Sequence, residues 1–126
     1  MLKTILTRDL GKKIERFALN FLKNHKLQLI ESNYHSRYGE IDLIMLHQDC
    51  LVFIEVRYRK DLRFGSGAET VDYNKQQKII KTAQVFLQNM KKYQQLNCRF
   101  DVVSVTLDNN NLQANWLKDA FQVSAW

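Results

Sequence analysis

Two carboxylates stand inside an apolar stretch of this chain, and whatever the chain folds into must accommodate both. The stretch runs from Glu40 to Arg59: Glu-Ile-Asp-Leu-Ile-Met-Leu, the polar link His-Gln-Asp-Cys, then Leu-Val-Phe-Ile-Glu-Val-Arg-Tyr-Arg. Its β-branched and aromatic residues predict two paired strands rather than a helix. With His47 to Cys50 as a four-residue loop, antiparallel pairing sets Leu46 opposite Leu51, Ile44 opposite Phe53, Asp42 opposite Glu55 and Glu40 opposite Arg57. Opposed residues share a face, with Cβ atoms roughly 5 Å apart. A like-charge pair at that distance destabilises a sheet unless a cation lies between its members, and a divalent metal would do this. A one-residue change in loop length would send the two carboxylates to opposite faces.

The 126 residues suit one domain spanning 1–126, and 45% hydrophobic residues allow a sizeable core. No run is long enough to span a membrane, and the start lacks the pattern of a secretory signal, so a cytoplasmic protein is expected. Cys50 and Cys98 are too few and too far apart for a zinc site or a disulfide framework, which predicts reduced thiols. The net charge of +6 and pI near 9.4 favour a polyanionic partner, nucleic acid above small metabolites, although basic proteins also use such an excess for solubility alone.

Leu10, Ile14, Phe17, Ala18, Phe21 and Leu22 predict an amphipathic helix from about Thr7 to Asn24, with Asp9 as its cap or in its first turn. Glu15 borders the buried stripe beside Ala18, Leu19 and Leu22; spacing alone favours pairing with Lys12 or solvent. Leu27 to Tyr34 predicts a strand that leads through His35, Ser36, Arg37 and Gly39 into the hairpin, Gly39 marking a turn or bulge. Beyond the hairpin, Arg57, Arg59, Lys60 and Arg63 crowd around Tyr58 and Phe64, followed by Gly65-Ser66-Gly67. A basic, aromatic-bearing loop suits a phosphate backbone and equally suits a mobile surface segment.

Asp72 is the expected cap of a second helix whose core stripe is Ile79, Ile80, Ala83, Leu87 and Met90. Lys75, Lys78 and Lys81 share part of its opposite side, and the helix start would carry Lys75 toward the hairpin. Arg99 to Leu107 predicts a further strand, Asp108 to Asn111 a turn, and Leu112 to Leu117 a return strand. Asp101 lies inside that apolar strand, where Arg99 or a basic loop residue would pair with it. Trp116, Phe121 and Trp126 are expected to pack on the sheet or on a partner subunit.

A carboxylate on one strand and Glu-x-basic on the next is what a metal-dependent nuclease needs. Asp42 and Glu55 would hold Mg²⁺ or Mn²⁺ through oxygen and leave positions for water and phosphate. Such an ion polarises the scissile phosphate and lowers the pKa of bound water, while Arg57, two residues on and on the same face, stabilises developing charge. His25, His35 and His47 show no paired metal spacing and read as structural or surface residues. No Gly-x-Ser-x-Gly elbow occurs, and Gly65-Ser66-Gly67 lacks the frame of a nucleotide-binding loop.

Gly39 to Ile44, Val52 to Arg59, Lys75 and Arg99 to Val103, together with Glu15 and the closing Trp116 to Phe121, resemble the YraN family of small bacterial proteins over nearly the whole chain. The resemblance implies an α/β fold of the restriction-endonuclease-like superfamily, similar to archaeal Holliday-junction resolvases: a mixed β-sheet flanked by α-helices. It further implies that Asp42 and Glu55 are metal-binding carboxylates, that Glu15 is the acidic residue of the first helix, and that Arg57 stands at the usual catalytic Lys position. Asp101 matches a family position without an assigned role. Arg stays protonated and cannot act as a general base, though it can hold a phosphate bidentately. Lys75 or Lys60 would then supply the missing ammonium.

The expected function is therefore that of a nuclease-like nucleic-acid-binding protein, an Mg²⁺- or Mn²⁺-dependent endonuclease on branched or structured DNA. Glu15, Asp42, Glu55, Arg57 and Lys75 are its candidate catalytic residues, the three acids its metal ligands, and Arg37, Arg59, Lys60, Arg63 and Lys78 its nucleic-acid contacts. A homodimer would suit a junction resolvase. The rivals are a non-catalytic nucleic-acid-binding module, and an interaction protein whose C-terminal aromatic segment joins it to a larger assembly.

Overall fold

In the computed structural model, which describes residues 2–59 and 71–123, the two apolar runs are neighbouring central strands, β2 (Gly39–His47) and β3 (Cys50–Arg59). Leu46 faces Leu51, Ile44 faces Phe53, and the ladder runs as far as Leu43 opposite Ile54. The link is tighter than the four residues expected. His47 pairs with Cys50, leaving Gln48 and Asp49 to turn the chain, Gln48 at φ +57. Shortening a loop by one residue at each end leaves the pairing unchanged, so the expected faces are kept. Neither Asp42 opposite Glu55 nor Glu40 opposite Arg57 is part of this ladder, which stops at Leu43 and Ile54, so the expected faces hold only up to that point.

The sheet order is β1-β2-β3-β4-β5, with β1 at Leu27–Ser36, β4 at Asn97–Asp108 and β5 at Asn111–Phe121. β3 and β4 are parallel and every other neighbouring pair is antiparallel. A parallel pair needs a crossover. The connection contains α2 (Tyr73–Asn89) and a 3₁₀ turn (Lys91–Tyr93), while α1 (Leu2–Asn24) precedes the sheet. This is the α/β mixed sheet flanked by helices of the restriction-endonuclease-like class. α1 begins at Leu2, several residues before the expected start, so Asp9 lies within the helix and is not its cap.

Each face of the sheet carries a core. Leu51 and Phe53 pack with Ile79, Ile80, Ala83 and Phe86 of α2, whereas Val52 and Ile54 pack with Ile14, Ala18 and Leu22 of α1. Burial on both faces explains why β3 is a nearly unbroken apolar run. Phe86 is not among the stripe residues named above, yet it is fully buried and its ring meets Tyr34, Phe53 and Tyr93 at centroid distances of 5.3, 6.1 and 5.9 Å. Among the described residues, no helix is long and apolar enough to cross a membrane.

Asp101 is a structural carboxylate. It is 0% exposed and accepts from Arg99 Nε at 3.0 and 3.1 Å, from Trp116 Nε1 at 2.9 Å and from the Asp119 backbone N–H at 2.8 Å. The β4–β5 ladder jumps at this point, from Phe100 opposite Phe121 to Val102 opposite Leu117, with Asp119 at φ +54. The side chain thus satisfies a backbone donor that the bulge removes from the ladder. β5 extends to Phe121, beyond the expected end at Leu117, and Phe121 stacks on Phe100 at 5.0 Å. Both Trp116 and Phe121 pack on their own sheet; Trp126 lies outside the described residues.

Candidate functional site

β2 loses its regularity at Asp42. On one side the β1 ladder pairs Ser32 with Leu43 and Tyr34 with Ile41 but omits Asn33, which takes φ +52, opposite Asp42. On the other side the β3 ladder has already ended at Leu43. Ile41 and Leu43, two residues apart, would share a face in a regular strand, yet they belong to the cores on opposite sides of the sheet. Asp42 occupies this crossing point, and its Oδ2 accepts from the Val56 backbone N–H at 2.8 Å. The carboxylate replaces the main-chain acceptor that a continued ladder would have offered.

Glu55 faces α2. Only 6% of its side chain is exposed, and its Oε2 lies 2.8 Å from Lys75 Nζ and 3.7 Å from an Arg57 guanidinium nitrogen. Lys75 is in the first turn of α2, whose N-cap, Asp72, accepts from the Lys75 backbone N–H at 2.8 Å. A cation in a first turn opposes the helix macrodipole, a loss of a few tenths of a kcal/mol. The nearly buried Glu55 carboxylate offsets it. Gly39, at φ +154, takes a backbone conformation that other residues rarely adopt, and a Cβ there would make only an ordinary 3.5 Å contact with that of Lys78.

Asp42, Glu55, Arg57, Lys75 and Lys78 line one open cavity of about 730 Å³, together with Glu40, Val56 and Asp72. Asp42 is pushed up from 3.8 to about 8, first by burial, then by the charge of Glu55 and a hydrogen bond with it, with Glu15 adding a smaller repulsion; the Val56 N–H opposes the rise. Burial and the neighbouring acid thus favour the neutral form of the Asp42 carboxyl. Two acids forced together, with Asp42 pushed toward its neutral form, make a donor pair suited to a cation.

The expected residues divide clearly. The structure brings Asp42, Glu55, Arg57, Lys75 and Lys78 to one cavity, with Glu15 half-buried on α1 and within electrostatic reach of Asp42. Among the described residues, no three His, Cys, Asp or Glu side chains converge as a metal site, so Glu15 does not join the other two acids as a close ligand set. Arg37 lies in the β1–β2 turn, its guanidinium donating to the Tyr38 hydroxyl at 2.7 Å and lying 4.9 Å from that ring's centroid. Arg59 ends β3 beside Thr106 of β4. Lys60, Arg63 and the Gly65-Ser66-Gly67 segment lie outside the described residues. Sequence reasoning missed Val56, which acts through its backbone N–H and so has no signature, and placed Asp72 only as a cap.

Residues 14–105 match the model of a family described as "Uncharacterised protein family UPF0102". A UPF0102 protein of Stutzerimonas stutzeri is 45% identical over 112 residues, covering 89% of this chain and 93% of the relative. One from Nitrosococcus oceani is 43% identical over 124 residues, covering 98% and 100%, and one from Legionella pneumophila is 44% identical over 116 residues, covering 92% and 97%. The chain belongs to the UPF0102 family, also called the YraN family.

Proposed function

We propose that this UPF0102 chain is a divalent-metal-dependent endonuclease of the restriction-endonuclease-like class, acting on branched or otherwise structured DNA. The observation that carries the reading is the Asp42–Glu55 pair: two acids at the parting of β2 and β3, open to a cavity whose cations come from β3 and α2. Mg²⁺ is commonly held by one or two carboxylates, with water and substrate phosphate completing its octahedron, so a two-acid donor set with open space beside it fits Mg²⁺ or Mn²⁺. When bound, the ion would supply Lewis-acid polarisation of the phosphate and acidify a water.

The protein's own groups would divide the remaining work. Asp42 would hold the cation as a carboxylate, kept in place by the Val56 N–H that donates to its Oδ2. Arg57, 25% exposed, would grip a non-bridging phosphate oxygen and stabilise the charge that develops there. Lys75 would take the part that Lys plays at the position of Arg57, from a helix instead of the strand. Its side chain is 47% exposed and its Nζ is already on Glu55, so it reaches both the carboxylate and the open cavity. Glu15 would act through the field it exerts on Asp42.

One observation favours a second reading, a non-catalytic nucleic-acid-binding module: Lys75 already neutralises Glu55 at 2.8 Å, as a metal would. The two separate on a labelled four-way junction in Mn²⁺. The nuclease cuts it and loses cutting, with its fold intact, in Asp42→Asn; the module binds it with steep salt dependence and no response to metal.

A further inference from the structure

The first turns of α2 separate two concavities. Lys75 and Lys78 face the carboxylate cavity; on the other flank Tyr73, Gln77, Ile80, Lys81, Gln84 and Gln122 line a groove of about 350 Å³. At 100° per residue, positions 73, 77, 81 and 84 form one stripe about 16 Å long. Tyr73 at its head is 70% exposed, against a floor formed by buried Ile80. A lone exposed apolar side chain carries no message. This one is an aromatic wall of a groove in which the Gln77 and Gln84 amides make no hydrogen bond to another described residue, whereas Gln76 is committed to the Val71 carbonyl.

The ridge between the concavities is cationic. Lys78 borders the cavity and Lys81 the groove, and Lys81 Nζ also lies 5.7 Å from the ring centroid of Tyr38, a ring that the Arg37 guanidinium approaches at 4.9 Å. A strand whose phosphate sits in the cavity could cross this ridge with its backbone on Lys78 and Lys81. Its next unpaired base would then arrive beside Tyr73. An aromatic face offers stacking to any base, and carboxamides match the donor and acceptor edges that bases present.

Resting on the nucleic-acid reading above, we infer that the Tyr73 groove is a base-stacking site for an unpaired nucleotide flanking the bound phosphate. A paired duplex would keep its bases stacked on each other and out of this groove. The site therefore recognises strands that are single or splayed, as beside a junction or flap.

The test is fluorescence anisotropy in EDTA with a labelled single strand of about 15 nucleotides and an abasic strand of equal length and charge. The wild-type protein is expected to prefer the base-bearing strand. Tyr73→Ala should weaken it at least about fivefold while leaving the abasic strand unchanged, and Tyr73→Trp should restore the preference. Equal affinity for the two strands, an unaltered Tyr73→Ala, or no binding of either strand overturns the inference. Because the assay contains no metal, its outcome is independent of cleavage. A protein that never cuts yet shows this pattern loses the nuclease reading and keeps the base site.

Discussion

Replacing Asp42 by Asn should stabilise the protein, and by an amount that grows with pH. Asn keeps the shape of the side chain, its oxygen can still accept from the Val56 N–H, and its amide can donate to Glu55. What it removes is the requirement to hold a proton. Between 3.8 and about 8 the folded wild type binds one proton more than the unfolded chain at this position, so its stability falls as pH rises through that window and levels off above it. At about 1.36 kcal/mol per unit, holding the proton at pH 7 against an unfolded value of 3.8 corresponds to a ceiling of about 4 kcal/mol, and at pH 5 to about 2 kcal/mol. Sharing of the proton with Glu55 and rearrangement of water reduce both figures. The advantage of Asp42→Asn is expected to increase by roughly 1–2 kcal/mol from pH 5 to pH 7. Urea unfolding of both proteins in EDTA at about pH 5, 7 and 9 measures it. Mn²⁺ at about 100 times its dissociation constant should then stabilise the wild type by about 2.7 kcal/mol and leave the variant unmoved. A stability gap that is flat with pH, or a variant less stable than wild type, would refute the account of the carboxylate pair.

The remaining predictions concern the groups around that pair and the far side of the sheet. Lys75→Ala should lower turnover on a four-way junction by about 10²-fold, measured in single-turnover conditions, while the far-ultraviolet circular dichroism stays unchanged; unaltered turnover would remove Lys75 as the substitute for a strand lysine. Asp101→Ala takes the carboxylate from partly buried Arg99 and leaves the Trp116 Nε1–H and the Asp119 N–H without their acceptor, so chemical denaturation should show a loss of about 2–4 kcal/mol. A loss under 1 kcal/mol would mean that the β4–β5 bulge holds without its carboxylate.

Much of this architecture could be read from residues, and the reasons are local. The apolar runs of β2 and β3 announce a buried hairpin, and their register survived an error in loop length because the turn lost a residue from each strand end symmetrically. Asp72 was legible as a cap because the geometry it serves is encoded within three residues. What stayed hidden depends on the third dimension. Phe86 falls inside the buried arc of α2, but its role as the ring joining Tyr34, Phe53 and Tyr93 comes from three other elements. Asp42 and Asp101 look alike in sequence, each an acid in an apolar strand. Four hydrogen bonds make Asp101 part of the scaffold, whereas a parted ladder and a second acid leave Asp42 under strain at an open cavity. The resemblance to a known family marked both positions; only the surroundings tell their roles apart.

The central claim is that the Asp42–Glu55 pair serves phosphodiester cleavage. The most direct measurement is a cleavage panel of labelled single strands, duplexes, flaps and four-way junctions in Mg²⁺ and in Mn²⁺, run beside Glu55→Gln. Metal-dependent cutting of the branched substrates is expected of the wild type and none of Glu55→Gln, with EDTA abolishing the wild-type activity. Intact substrates throughout, or cutting that survives in Glu55→Gln, would contradict it.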